Sequence, residues 1–232
     1  MLITTYQKRA TLKDQALRVC IDDTAIEHST SEKLLGLIVD QNLTWNSHVK
    51  RVHLQTSRNI ALLRRIKNFL PLESRILFYN SFIQPYLDYC SAVWDTCPNS
   101  TSLHKLQKRA ARIILDKHYL EHSTPLFKKL NWIPLPLRFK YRTATLMFKV
   151  VNNSAPNYLM KLFKPVKHIQ KRASRSTNLN NFYLPFPRIE CFKSSFAYKA
   201  AKIWNDLPKD IKDTNVLENF KTKLYNFFVN QF

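Results

Sequence analysis

The chain contains one glycine, Gly36, in 232 residues. Glycine takes φ > 0, or lets a backbone approach a ligand closely, without steric cost. Phosphate-cradling loops, dinucleotide fingerprints and runs of tight β-hairpins all draw on that property. A single glycine therefore argues against a P-loop, a Rossmann fold or a many-hairpin β architecture. Hydrophobic residues make up 45% of the chain, enough to fill a core. That content excludes a disordered tail and predicts one or two domains.

Cys20, Cys90, Cys97 and Cys191 form no C-x-x-C pair and are too scattered for a disulfide scaffold. Reduced thiols in an intracellular compartment are the simpler expectation. The N-terminal stretch MLITTYQKRATLKD lacks the apolar region of a secretory signal. No run approaches the length of about 18 apolar residues that a membrane span requires, so neither secretion nor membrane insertion is expected.

Charge is the second constraint. Lysine and arginine number 37 against 16 acids, a formal net charge of +21. Residues 1–46 carry five basic and six acidic side chains, so the whole excess lies after Asn46. Residues 128–149 and 161–175 contain no acid at all. Such a surface fits a polyanion, because neutralising phosphates releases condensed counterions. The plainer alternative is a solvated basic face with no specific ligand.

Along the chain, Leu2–Tyr6, Leu17–Ile21 and Leu35–Val39 are short, aliphatic or β-branched runs bounded by polar residues, and predict strands. After Trp45 the period becomes helical. Ser47 is a candidate N-cap, and Val49, Val52, Ile60, Leu63 and Ile66 share one face of a cationic amphipathic helix ending before Pro71. A second helix is expected from Leu72 toward Trp94, kinked or broken near Gln84 by Pro85. A third, capped by Asn99-Ser100-Thr101, places Leu103, Leu106, Ala110, Ile113 and Ile114 inward. Further helices are expected near 124–131, 136–152, 156–163, 193–205 and 216–230. The stretch Lys164–Arg188 reads as a loop or short-strand connection and the place for a domain boundary.

The segment Lys33-Leu34-Leu35-Gly36 through Asp40, Leu43, Trp45, His48 and Val49 resembles a signature of non-LTR retrotransposon reverse transcriptases, the jockey and CR1-like group of LINE elements. In that family the signature follows the polymerase palm. Tyr86-Leu87-Asp88-Tyr89 with Val93-Trp94 resembles a helix of the same family. So do Leu106-Gln107-Lys108-Arg109-Ala110-Ala111-Arg112 and the turn Trp132-Ile133-Pro134-Leu135 with Arg138. Arg172-Ala173-Ser174-Arg175-Ser176 and Trp204-Asn205-Asp206-Leu207-Pro208 are similar to its last landmarks. The resemblance implies a chain beginning at the end of the palm, carrying the primer-grip hairpin, and continuing through the thumb. It also implies that the carboxylates holding two Mg²⁺ ions for nucleotidyl transfer lie upstream, so no cofactor and no catalytic residue is expected here. Leu34 departs from the family's usual tyrosine.

Asp22-Asp23 mimics the acidic pair of a polymerase hairpin, but Cys20-Ile21 precedes it in place of an aromatic and a small residue, and turn chemistry is the expected role. His118 and His122 stand four apart, as zinc ligands on a helix do, yet the order H-Y-L-E-H is not a zinc motif and offers no third ligand. Metal sites are not expected. No G-x-S-x-G element supports a hydrolase. Trp45, Trp94, Trp132 and Trp204 are expected in the core rather than stacked on bases, with Trp204 in a buried corner before Pro208. Gly36 keeps two readings, a backbone held close to a primer strand or a bulge in a strand.

The expectation is thus a mostly α protein with a small N-terminal β element, α+β overall. Its parts are an end-of-palm β fragment (1–46), a helical thumb-like domain (47–163), a linker with short strands (164–192) and a C-terminal helical segment (193–232). Lys50, Arg51, Arg58, Arg64, Arg65 and Lys67 on one helix, and Lys105, Lys108, Arg109 and Arg112 on another, are the candidates for phosphate contacts with an RNA–DNA hybrid or duplex. Leu35, Gly36 and Ile38 are primer-grip-like by resemblance. A palm-containing polypeptide is a possible partner, and the basic stretch Lys164–Arg175 a possible nuclear-localisation patch.

Overall fold

The computed structural model describes residues 1–4, 8, 19–169, 180–187 and 189–232. Among the described residues the fold is mostly helical with two small antiparallel hairpins, as the apolar periodicity leads one to expect.

Strands β1 (Cys20–Ile21) and β2 (Thr24–Ala25) are joined by Asp22-Asp23, with φ of 47° and 61°. Strands β3 (Ser31–Leu34) and β4 (Leu37–Asp40) are joined by Leu35-Gly36, with φ of 47° and 84°. Positive φ at both central residues is what a type I′ turn needs, and its twist matches that of the flanking strands. Asp22-Asp23 is therefore a turn. Gly36 is neither a strand bulge nor mid-strand backbone. The expected strand Leu35–Val39 begins only at Leu37, because Leu35 and Gly36 make the turn. Strand β3 is exposed throughout and gives no alternation to read. Leu2–Thr4 is not a strand, although the Thr4 N–H donates to the Gln41 carbonyl at 3.1 Å. Thr5, Tyr6, Leu17 and Arg18 lie outside the described residues.

Helix α1 (Asn46–Ile66) buries His48, Val49, Val52, Thr56, Ile60 and Leu63. Its cap is Trp45, not Ser47, because the Asp40 carboxylate and Thr44 Oγ1 already satisfy the amides at the helix start. A 3₁₀ turn (Lys67–Phe69) leads to α2 (Leu72–Phe82), which ends at Ile83. Two short helices follow, α3 (Gln84–Asp88) and α4 (Ser91–Trp94). The break falls where Pro85 removes a backbone donor.

Helix α5 (Thr101–Ile114) runs parallel to α1. Asn99 Nδ2 donates to Asn46 Oδ1 at one end (2.8 Å), and Lys67 pairs with Asp116 at the other. Helices α6 (Ser123–Lys129) and α7 (Leu135–Val151) come next, then α8 (Asn157–Met160), shorter than its expected span.

The first apolar cluster joins Val49, Ile60, Leu63, Tyr79, Leu87, Trp94, Leu103 and Ile114 to Leu135 and Phe139 at the start of α7. Tyr79 stacks on Trp132 with centroids 4.0 Å apart, and Trp94 meets Phe139 edge-on at 5.4 Å. Fully burying one such side chain stabilises by about 2 kcal/mol.

The second cluster takes the rest of α7, with Ala144, Met147, Phe148 and Val150 against α10 (Phe196–Asn205) and α12 (Leu217–Val229). Two four-residue helices, α9 (Glu190–Lys193) and α11 (Lys209–Lys212), went unexpected because neither is long enough to show a period. Trp204 is buried before the turn at Leu207, as its context implied. In the connecting stretch, Pro165 bridges Phe182, whose N–H and C=O are both held by the Asn205 side chain at 2.9 and 2.7 Å. Residues 170–179, with most of the basic patch and the Arg172–Ser176 landmark, lie outside the described residues.

Candidate nucleic-acid interface

Helix α1 turns its apolar face inward, so its cations face solvent. Lys50, Arg51, Arg58, Arg64 and Arg65 are exposed, and among the described residues none of them pairs with a carboxylate. Lys50, Leu54, Arg58, Leu62 and Arg65 follow one another at three- and four-residue steps, the spacing that keeps side chains on one side of a helix. They make a stripe about 22 Å long at 1.5 Å per residue. Leu54 and Leu62 interrupt it as exposed apolar residues. Lys67 differs: it sits in the 3₁₀ turn, half-buried and paired with Asp116, whose carboxyl it holds below the usual range.

On α5, Lys105 and Arg109 are exposed while Lys108 and Arg112 are half-buried. Arg112 is engaged internally, its Nε donating to the Glu121 carbonyl at 2.8 Å. Both sets point away from the shared core. His118 and His122 lie off any helix, in the loop before α6, where their Nδ1 atoms accept the N–H groups of Leu120 and Thr124.

The β3–β4 hairpin stands at the N-terminal end of the stripe. Asp40 fixes its base, accepting from the N–H groups of Asn42, Thr44 and Trp45 at 3.1, 3.0 and 2.8 Å and from Thr44 Oγ1. Burial opposes ionisation of this carboxyl, but those donors outweigh it and leave its pKa below the usual value. Ile38 is half-buried and its N–H donates to His48 Nδ1 at 3.4 Å. At the tip, Leu35 is 83% exposed and its carbonyl accepts from the Tyr89 hydroxyl at 2.6 Å. Arg51 approaches the Gly36 carbonyl to 3.5 Å.

Between the tip, α1 and α3 lies a groove of 320 Å³, walled by Gly36, His48, Arg51, Gln55, Tyr86 and Tyr89. From the sequence, Tyr86 and Tyr89 belong to an apolar helix face, yet they are 41% and 50% exposed. Only the break at Ile83, which re-aims α3, hints at this. A larger cavity of 540 Å³ lies between α5, α7 and the C-terminal helices, beside the buried Lys199–Asp95 pair.

The other motifs hold elements together. Gln107, 1% exposed, donates to the Ile133 carbonyl at 3.0 Å and accepts the Leu135 N–H at 2.8 Å, clamping the Trp132–Leu135 turn to α5. Arg138 grips Asp88 through two bonds. All four cysteines are free. Among the described residues no helix is long and apolar enough to cross a membrane.

No family model matches the chain, and no solved structure matches it. The chain is similar to the probable RNA-directed DNA polymerase from transposon X-element of Drosophila melanogaster, at 22% identity over 118 residues. That stretch is 49% of this chain and 13% of the relative, so the chain spans a small part of the relative's length. The similarity supports a relationship to transposon-encoded reverse transcriptases.

Proposed function

We propose that this chain is the part of a LINE-type reverse transcriptase that follows the catalytic palm, and that it grips a primer–template duplex without catalytic residues of its own. The observation that carries the reading is the stripe of exposed, unpaired cations on α1 with the Leu35-Gly36 tip docked at its end. Lys50, Arg51, Arg58, Arg64 and Arg65 contact phosphates, which positions a duplex without reading its sequence. Lys105, Lys108 and Arg109 offer a second set on α5. Lys67 and Arg112 contribute mainly by fixing the ends of their helices. Leu35, Gly36 and Ile38 form the primer-grip-like hairpin. The relative is several times longer than this chain, which favours a palm carried by a longer polypeptide or a partner, and any Mg²⁺ would belong to that palm.

Fluorescence anisotropy with a labelled RNA–DNA hybrid across a salt series tests this. The expected result is affinity that falls steeply with salt, with a slope corresponding to about four or more phosphates, and a preference for hybrid over competitor single strands. Weak binding insensitive to salt would mean that the basic face is solvated surface only.

A further inference from the structure

The groove beside the hairpin tip holds more chemistry than a duplex face needs. Tyr86 presents a half-exposed ring, and Tyr89 forms the facing wall with its hydroxyl committed to Leu35. Arg51 brings a guanidinium to the rim, and Gln55 an amide that both donates and accepts. The floor adds an independent signal. His48 is 4% exposed, and its Nδ1 accepts the Ile38 N–H, so the neutral ring carries its proton on Nε2. Burial and the Arg51 charge both disfavour the imidazolium. Nε2 is buried and has no hydrogen-bond partner, leaving an unsatisfied donor on a residue that lines the groove.

We infer that this groove takes one unpaired nucleotide flanking the duplex, its base against Tyr86 and its phosphate at Arg51. Gln55 and His48 Nε2 meet acceptor oxygens or ring nitrogens of the base or sugar. Stacking on an aromatic ring suits any base, since each has a π-face, so the groove selects single-stranded character rather than sequence. A volume of 320 Å³ lies at the small end of ligand sites, room for one nucleotide unit and not for a stack of them. The position follows from the fold, since Arg51 and Gln55 lie on the first turns of the helix that carries the cationic stripe. The inference rests on the reading of α1 as a duplex-binding face, because that contact brings the flanking strand to the groove.

The test compares a blunt RNA–DNA hybrid, the same hybrid with a short single-stranded overhang, and an isolated single strand. Each is titrated against the full chain and the Tyr86→Leu, Tyr86→Phe and Gln55→Ala variants. The overhang should tighten binding about tenfold. Tyr86→Leu, which keeps apolar contact but removes the ring, should abolish that gain and leave blunt-hybrid affinity unchanged. Tyr86→Phe should keep it, and Gln55→Ala should reduce it. An overhang that adds nothing, or a Tyr86→Leu variant that weakens blunt and overhung hybrids equally, overturns the groove assignment while the duplex reading stands. Tyr86-dependent binding of the single strand without salt-dependent binding of the blunt hybrid supports the groove and removes the α1 reading. Binding of none of the three overturns both.

Discussion

Asp88 and Arg138, fifty positions apart, face each other as a bidentate pair: Arg138 Nε lies 2.8 Å from Asp88 Oδ1 and its terminal nitrogen 2.6 Å from Oδ2. The pair joins α3, which carries the groove tyrosine Tyr86, to α7, which runs through both apolar clusters. Both side chains are largely buried, Arg138 at 24% and Asp88 at 14% exposed, and Gln84 Nε2 adds a third bond to Asp88 at 3.0 Å. Removing one partner strands the other charge. Arg138→Met should therefore cost about 3 kcal/mol in urea unfolding. Arg138→Lys keeps the charge but loses the planar fork, and should fall between that variant and the wild type.

The buried pair Lys199–Asp95 gives a second stability prediction. Lys199 on α10 reaches Asp95 and the Ala92 carbonyl beside α4, with side chains 13% and 8% exposed. Burial holds the Asp95 carboxyl above its usual pKa, and Lys199 only partly offsets this. Lys199→Met leaves an anion buried without its counter-charge and should cost about 3 kcal/mol. Asp95→Asn keeps an acceptor for Lys199 but strands its buried ammonium, and should cost about as much. A loss below about 1 kcal/mol for either variant in paired denaturation curves would contradict the description of this site as a desolvated ion pair.

The apolar skeleton was legible because helical periodicity needs nothing but the helix itself. Val49, Val52, Ile60 and Leu63 recur where α1 must bury them, and Pro85 marks the break after α2. What stayed hidden depends on distant partners. A glutamine on α5 reads the same whether solvated or clamped, and the two backbone groups that Gln107 clamps lie 26 and 28 positions away. Lys67 and Arg112 look like any other cation of their stripes until Asp116 and the Glu121 carbonyl are seen to engage them. Tyr86 and Tyr89 sit in an apolar-looking run, and only the re-aimed short helix exposes their rings. Strand β3, solvated on every residue including Leu34, carries no period to find.

Gln107→Leu should be strongly destabilising despite conserving volume. It would leave the buried Ile133 carbonyl and Leu135 N–H without partners, at about 1–3 kcal/mol for each unsatisfied group. Hydrogen exchange at the Leu135 amide should accelerate more than at amides of α12, which Gln107 does not touch.

Two desolvated imidazoles, the buried His48 and the half-buried His104, set the response to mild acid. His48 and His104 both have pKa values lowered, chiefly by burial, with the Arg51 charge adding at His48 and the bond to Gln107 opposing at His104. The folded protein thus binds those protons less readily than the unfolded chain. Their contribution is intact above the unfolded histidine pKa of about 6.5 and is lost as pH falls below it, toward the folded values. Asp95, with its pKa raised, acts with the opposite sign. Stability measured from pH 7.5 to 5 should decline, and His48→Gln should flatten that decline. An unchanged slope would show that the His48 ring takes up its proton as readily in the fold as in the unfolded chain.

The hairpin tip makes the last prediction, because it separates stability from contact. Leu35 holds φ of 47° with an 83% exposed side chain, a conformation that costs an ordinary residue about 1–2 kcal/mol and returns nothing through burial. Asparagine tolerates that conformation, and Asn-Gly is the favoured pair for a two-residue turn of this kind. Leu35→Asn should raise stability by about 1 kcal/mol in urea unfolding. The Tyr89 hydroxyl bonds the backbone carbonyl of residue 35, so the substitution leaves that anchor in place. If the exposed leucine touches the bound strand, the same variant loses hybrid affinity while gaining stability, a divergence that general unfolding cannot produce. A variant that gains stability and binds as the wild type does would remove Leu35 from the interface and leave the grip to α1 and the groove.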